Sequence, residues 1–110
     1  MSYSKYRAKP VVIDGIRFAS QKEGNRYKEL ILLKKAGEIK WLKLQKPYSV
    51  YAHNGRTLNR QKVLTYIADF VYEDKNGIKH IEDVKGFRTP IYKLKKRIIE
   101  AVYGIRIEEI

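Results

Sequence analysis

The stretch that most constrains this 110-residue chain is residues 63–86, where two runs of β-branched and aromatic residues flank Glu73-Asp74-Lys75-Asn76-Gly77. A polar segment ending in Asn-Gly between such runs predicts a β-hairpin. Charges stand where a buried strand would be apolar: Asp69 on the first run, Asp83 and Lys85 on the second. If the loop is a three-residue turn closing on Gly77 in the left-handed conformation, Asp69 lies opposite Asp83. Period two then sets Asp69, Asp83 and Lys85 on one face with Ile67, Val71 and Ile81. A loop one residue longer or shorter sets Asp69 with Val84 instead.

Two neighbouring carboxylates raise each other's pKa unless a cation compensates them. A small cluster of oxygen ligands suits a hard divalent ion, magnesium (Mg2+) or manganese (Mn2+). A lysine two residues on points a positive charge into the same space, toward a phosphate or a bound hydroxide. The alternative is an Asp–Lys cross-strand ion pair on a solvated sheet face. The hairpin alone leaves both open.

The charge balance narrows the partners. A formal net charge of +12 with a pI near 9.9 points to a polyanion, nucleic acid or an anionic membrane surface. A membrane reading wants one basic amphipathic helix, whereas here the positive residues are spread over the N-terminus, a central loop and a late helix. Nucleic acid is favoured, with no membrane partner. Hydrophobic residues make up 44%, which argues against disorder, and no apolar run reaches membrane-spanning length. With no secretory signal at the start and no cysteine, the expected compartment is the cytoplasm. His53 and His80 alone cannot make an ordinary zinc site, and His80 reads as a strand residue.

The chain reads as a mobile basic arm over residues 1–10 (Lys5, Arg7, Lys9) followed by a single domain over residues 11–110. Residues 11–18 predict a small hairpin turning at Asp14-Gly15 and capping one end of the core. Ser20 opens a helix running to about Ala36, and Glu23 has the capping-box spacing from it. Capping is one role for Glu23. The other follows from its face, shared with Tyr27, Leu30, Ile31 and Lys34, which should pack inward. A carboxylate there is costly unless something charged waits for it. Gly24 in the first turn predicts a close approach by backbone or ligand.

Residues 38–44 predict a strand that Gln45-Lys46-Pro47 interrupts, with a further short strand over 48–51. Residues 53–62 read as a basic loop carrying Arg56, Arg60 and Lys62 and no acid, suited to DNA contact. Thr89 as N-cap and Pro90 at the first position start a late helix whose expected buried stripe is Ile91, Leu94, Ile98, Ala101 and Val102. Gly104 ends it before a last strand over residues 105–110. Helices separated by a run of strands predict an α/β sandwich with a mixed sheet.

An acid on the first helix, an Asp on a central strand and Asp-Val-Lys on the next strand resemble the PD-(D/E)XK nuclease superfamily. That superfamily's core order is helix, three strands, helix, strand. Over nearly the whole chain the likeness is to a phage-encoded family of small endonucleases related to Holliday-junction resolvases. It is carried by Asp14-Gly15, Phe18, Ser20, Glu23, Tyr27-Lys28-Glu29-Leu30, Gly37-Glu38-Ile39, Leu44-Gln45, the segment 66–72 around Asp69, Glu82-Asp83-Val84-Lys85-Gly86, Thr89 and Tyr92-Lys93-Leu94-Lys95. Ala19 stands where that family has Asp, and Ala68 precedes Asp69 where the superfamily name puts Pro.

The resemblance implies a restriction-endonuclease-like mixed sheet and a magnesium-dependent endonuclease that hydrolyses DNA phosphodiesters, including the form of a branched-DNA or Holliday-junction resolvase. It implies that Asp69, Asp83 and the Val84 carbonyl hold the metal, that Glu23 completes or water-bridges that shell, and that Lys85 orients the attacking water. Gln45 and Thr89 are implied supporting residues, and the basic residues Lys5, Arg7, Lys9, Arg56, Arg60, Lys62, Arg88 and Lys95 are the expected DNA contacts. A resolvase is expected as a homodimer, in the cytoplasm of a phage-infected or lysogenic bacterial host. Glu82 faces the other way, as an exposed or structural carboxylate. The competing function is a non-catalytic basic protein that binds nucleic acid by charge alone.

Overall fold

The computed structural model describes residues 9–57 and 59–110. The basic arm expected over residues 1–10 lies outside them apart from Lys9 and Pro10, so Lys5 and Arg7 are not described. The chain forms β1 (Val11–Ile13), β2 (Ile16–Phe18), α1 (Gln21–Lys35), β3 (Ile39–His53), β4 (Arg60–Asp74), β5 (Lys79–Asp83), α2 (Pro90–Tyr103) and β6 (Ile107–Glu109). This is a mixed α/β fold. The main sheet has the order β3-β4-β5-β6, antiparallel across the first two pairings and parallel between β5 and β6.

The central hairpin has the three-residue turn. Gly77 takes φ +83, its N–H donates to the Asp74 carbonyl at 3.0 Å, and the Asp74 carboxylate accepts from the N–H groups of Asn76 and Ile78. An Asp folding back on its own turn in this way pins the loop length. The ladder then runs Phe70↔Glu82 and Val71↔Ile81, and the same register sets Asp69 across from Asp83.

The β1–β2 hairpin turns on Asp14 (φ 55) and Gly15 (φ 76), two consecutive left-handed residues that match the twist of the strands. It packs against α1. A Cβ on Gly24 would come within 2.8 Å of Ile13 Cδ1 and Val11 Cγ2, so the close approach comes from these side chains.

Two cores lie on opposite faces of the sheet. Phe18, Tyr27, Leu30, Ile39, Phe70 and Tyr72 form the one under α1. Tyr48, Tyr66, Ala68, Val71, Ile81, Tyr92, Ile99 and Ile107 form the one under α2. Residues such as Phe70, Leu30 and Ile99, fully withdrawn from water, contribute about 1.5–3 kcal/mol each.

Three expectations need correction. β3 is one continuous strand through Gln45 and Pro47, because β3 is an edge strand where a proline costs no ladder bond and Gln45 absorbs the irregularity at φ 53. Arg60 and Lys62 lie on β4 rather than in a loop. The apolar stripe of α2 faces outward: Leu94 is 56% exposed, and the helix packs instead through Tyr92 and Ile99. Tyr92 and Tyr103 decide that orientation, since their hydroxyls reach Glu109 at 2.8 Å and the Ser49 carbonyl at 2.6 Å.

Candidate active site

The site is assembled at the point where the pleat of β4 changes phase. Even-numbered Tyr66 and Ala68 share a core with odd-numbered Val71, so the inward set switches across Asp69. This removes Ile67 from the face expected for it and leaves it 51% exposed. Gln45 stands across from Asp69, between the pairs Leu44↔Phe70 and Lys46↔Ala68, and its left-handed backbone marks the break. Its Nε2 donates to Glu23 Oε2 at 3.2 Å and to Asp69 Oδ1 at 3.3 Å.

Asp69 is fixed a second time by the Val84 N–H, which donates to Oδ2 at 2.8 Å. Asp83 is 1% exposed and feels the Asp69 carboxylate opposite it on the neighbouring strand. Tyr66 donates to its Oδ2 at 2.5 Å, and Oδ1 is buried with no hydrogen-bond partner among the described residues. Lys85 Nζ stands 3.6 Å from that orphaned oxygen and 4.6 Å above the centre of the Tyr92 ring.

Burial, and after it Asp69, pushes the Asp83 carboxyl up to about 7, against the pull of Tyr66 and Lys85. Burial and then Asp69 also raise Glu23, with Lys85 opposing. Glu23 is the N-terminal acid of α1, a helix capped by Ser20 Oγ accepting from the Glu23 N–H at 3.1 Å. Its side chain turns toward Gln45 and the carboxylates. Glu23, Asp69, Asp83 and Lys85 are therefore brought together from α1, β4, β5 and the segment after β5. Glu23, Asp69 and Asp83 do not close into a group of three metal-ligating side chains among the described residues. The Gln45 amide stands between two of them.

Residues 3–108 match the family model described as "Protein of unknown function (DUF1064)". The chain belongs to that family. No curated protein and no solved structure matches it.

In this DUF1064 member, Thr89 caps α2, its Oγ1 accepting from the Tyr92 N–H at 3.0 Å. Thr89 and Lys95 also line a pocket of about 340 Å³ with Lys85, Tyr66 and Tyr92. Arg88 is tied to Glu109, Nε to Oε1 at 2.7 Å. Arg56 sits in the exposed turn after β3, and the Arg60 guanidinium stacks 4.1 Å from the Tyr51 ring centre.

Glu82 points to the opposite face and is structural but not exposed. At 1% exposure it accepts from Arg26 through both oxygens, at 2.8 and 2.6 Å, and from Tyr72 at 2.6 Å. No helix among the described residues is long and apolar enough to cross a membrane.

Tyr66, Tyr92 and Lys22, whose Nζ donates to the Lys85 carbonyl at 3.3 Å, also border the site; the two tyrosines enter the sequence reading only within segments that carry the resemblance, with no role assigned, and Lys22 does not enter it. Spacing adds only a tyrosine three residues before Asp69 and another three after Thr89. Such residues pass for ordinary core packing.

Proposed function

We propose that the chain is a metal-dependent DNA endonuclease, a phosphodiester hydrolase of the PD-(D/E)XK type with a restriction-endonuclease-like core. The observation that carries the reading is Asp83, a buried carboxylate with one oxygen unsatisfied, beside a second carboxylate and within reach of a lysine. A buried carboxylate oxygen that accepts no hydrogen bond costs free energy, which the Lys85 ammonium at 3.6 Å offsets in part and a divalent cation would offset further. The all-oxygen donor set fits magnesium or manganese. The order α1, β3, β4, β5, α2, β6 supports the nuclease core, and the net charge of +12 supports a polyanionic substrate.

Asp69 and Asp83 would hold the cation, with Glu23 and the Val84 carbonyl completing the shell. A bound divalent cation supplies Lewis-acid charge, lowering the pKa of water and neutralising a phosphate. The other roles fall to the chain itself. The Val84 N–H and the Gln45 amide fix the rotamer of Asp69, and Gln45 keeps Glu23 from swinging away. Lys85, held over the Tyr92 ring, orients the attacking water and stabilises negative charge developing on the phosphate oxygens. The pocket lined by Lys85, Thr89 and Lys95 offers two ammonium groups and a hydroxyl to a neighbouring phosphate.

A junction resolvase is the form of this activity we propose, acting on branched DNA as a homodimer. Two symmetric cuts require two copies of the site. The exposed apolar stripe of Ile91, Leu94 and Val102 supports self-association through α2. The test is to incubate four-way junction and linear duplex DNA with the protein, with and without magnesium, beside Asp83→Ala and Lys85→Ala. Metal-dependent cleavage that both substitutions abolish while DNA binding persists is expected. Equal cleavage by the wild type and Asp83→Ala removes the mechanism. Binding without cleavage by the wild type leaves only a basic nucleic-acid-binding protein.

A further inference from the structure

Strands β3 and β4 are each 15 residues long, yet β5 pairs only with residues 70–73 of β4. The two long strands remain paired out to His53↔Arg60. Support from α2 ends at Ser49, held by Tyr103, and at Val50 and Leu64. Beyond that every described residue from 51 to 63 is exposed, so the hairpin projects as a two-stranded ribbon.

Its charge is one-signed. Residues 39–68 contain Lys40, Lys43, Lys46, Arg56, Arg60 and Lys62 and no Asp or Glu. Solvation alone would be served by mixed charges, as elsewhere in the chain. Arg60 is further held over the Tyr51 ring, its guanidinium carbon 4.1 Å from the ring centre, which limits its freedom before any contact is made.

The length of the ribbon sets a distance. At about 3.3 Å per residue, Lys62 lies roughly 23 Å and Arg60 roughly 30 Å along β4 from Asp69. At about 3.4 Å per base pair those spans correspond to roughly seven to nine base pairs. A two-stranded ribbon enters the wide major groove of B-form DNA, while the deep, narrow groove of A-form RNA excludes it.

We propose that the β3–β4 ribbon lies in the major groove of a B-form duplex arm and grips it about seven to nine base pairs from the bond to be cut. This rests on the nuclease reading for the position of that bond. The partner is duplex DNA, recognised by groove width and phosphate charge.

The test is equilibrium binding without divalent cation, on four-way junctions whose arms are shortened stepwise from about 16 to 4 base pairs. Wild-type affinity is expected to hold down to about nine base pairs and to fall about tenfold or more below about seven. The variant Arg56→Ala/Arg60→Ala/Lys62→Ala is expected to bind long arms weakly and to lose the length step. Its salt dependence should be shallower by about one unit of slope per residue removed. A junction of RNA should compete poorly.

Wild-type affinity independent of arm length, or equal competition by RNA, overturns the inference, and the wild-type series decides even if the triple variant misfolds. The two readings separate in the cleavage lane. Cleavage without a length step removes the ribbon alone, whereas a length step without cleavage in magnesium removes the nuclease and leaves the ribbon.

Discussion

The Tyr66 hydroxyl donates to Asp83 Oδ2 at 2.5 Å while Oδ1 of the same carboxylate is buried without a hydrogen-bond partner among the described residues. Burial and then the Asp83 carboxylate push the Tyr66 phenol well above its ordinary range, so it remains a donor at every working pH. It is the fixed counterweight to the burial that favours a protonated Asp83.

Replacing Tyr66 by Phe removes that counterweight. The metal-free protein is expected to lose about 1–3 kcal/mol, since a second buried oxygen goes unpaired. Asp83 should also hold its proton to higher pH, so manganese must compete with it. The rise in thermal midpoint on adding manganese at pH 7 should be smaller in Tyr66→Phe than in the wild type and should recover as pH is raised. An unchanged rise at pH 7 would show that the hydroxyl does not govern the site.

One position earlier, on the other face, the chemistry is purely structural. Glu82 is buried against Arg26, whose guanidinium is held far above its usual range by that hydrogen bond. Arg26→Ala leaves the carboxylate buried without its cation, with only the Tyr72 hydroxyl of its three described donors remaining, at a cost of about 3–5 kcal/mol. Chemical denaturation should register this loss. Manganese binding by the folded variant, measured calorimetrically, should be unaffected, and a loss of binding equal to that of Asp83→Ala would mean that the two faces are not independent.

His80 supplies a pH dependence away from the carboxylate site. It stacks on Tyr72 and lies 2.9 Å from both Asp74 and Glu108, and its pKa is raised first by the bond to Asp74, then by Glu108. The folded state thus binds the proton more tightly than the unfolded chain, whose histidine titrates near 6.5. The resulting stability is fully present below about 6.5 and is lost as pH rises through the higher folded value. In chelator, the thermal midpoint of the wild type should exceed that of His80→Gln most at pH 5.5, with the gap closing above neutrality. A gap that stays constant from pH 5.5 to 9 would assign His80 to packing alone.

What could be read from the sequence divides along physical lines. The Asp69–Asp83 register was legible because a short polar loop with Asn-Gly has few ways to close, and period two carried its consequence to Lys85. The helix starts at Ser20 and Thr89 were legible because capping is local chemistry. The face of α2 was not. Counting aliphatic residues put Ile91 and Leu94 inside, whereas Tyr92 buries its ring under Lys85 and satisfies its hydroxyl on Glu109, a partner 17 residues away. The continuity of β3 was equally hidden, because Gln45 adopts a conformation that glutamine rarely takes and that only its two carboxylate partners explain.

Gln45 joins that strain to the site. A left-handed backbone costs a residue with a side chain about 1–2 kcal/mol, which the amide offsets by bridging Glu23 and Asp69. Gln45→Ala keeps the strain and loses the bridge; Gln45→Gly relieves the strain and loses the same bridge. The glycine variant should therefore be the more stable of the two by about 1 kcal/mol. In both, Glu23 and Asp69 face each other without the amide donor between them, so magnesium should raise the thermal midpoint more than it does in the wild type. An alanine variant as stable as the glycine one would mean that the strand relaxes at residue 45 once the amide is gone. The left-handed turn would then be a product of the carboxylates rather than of the strand.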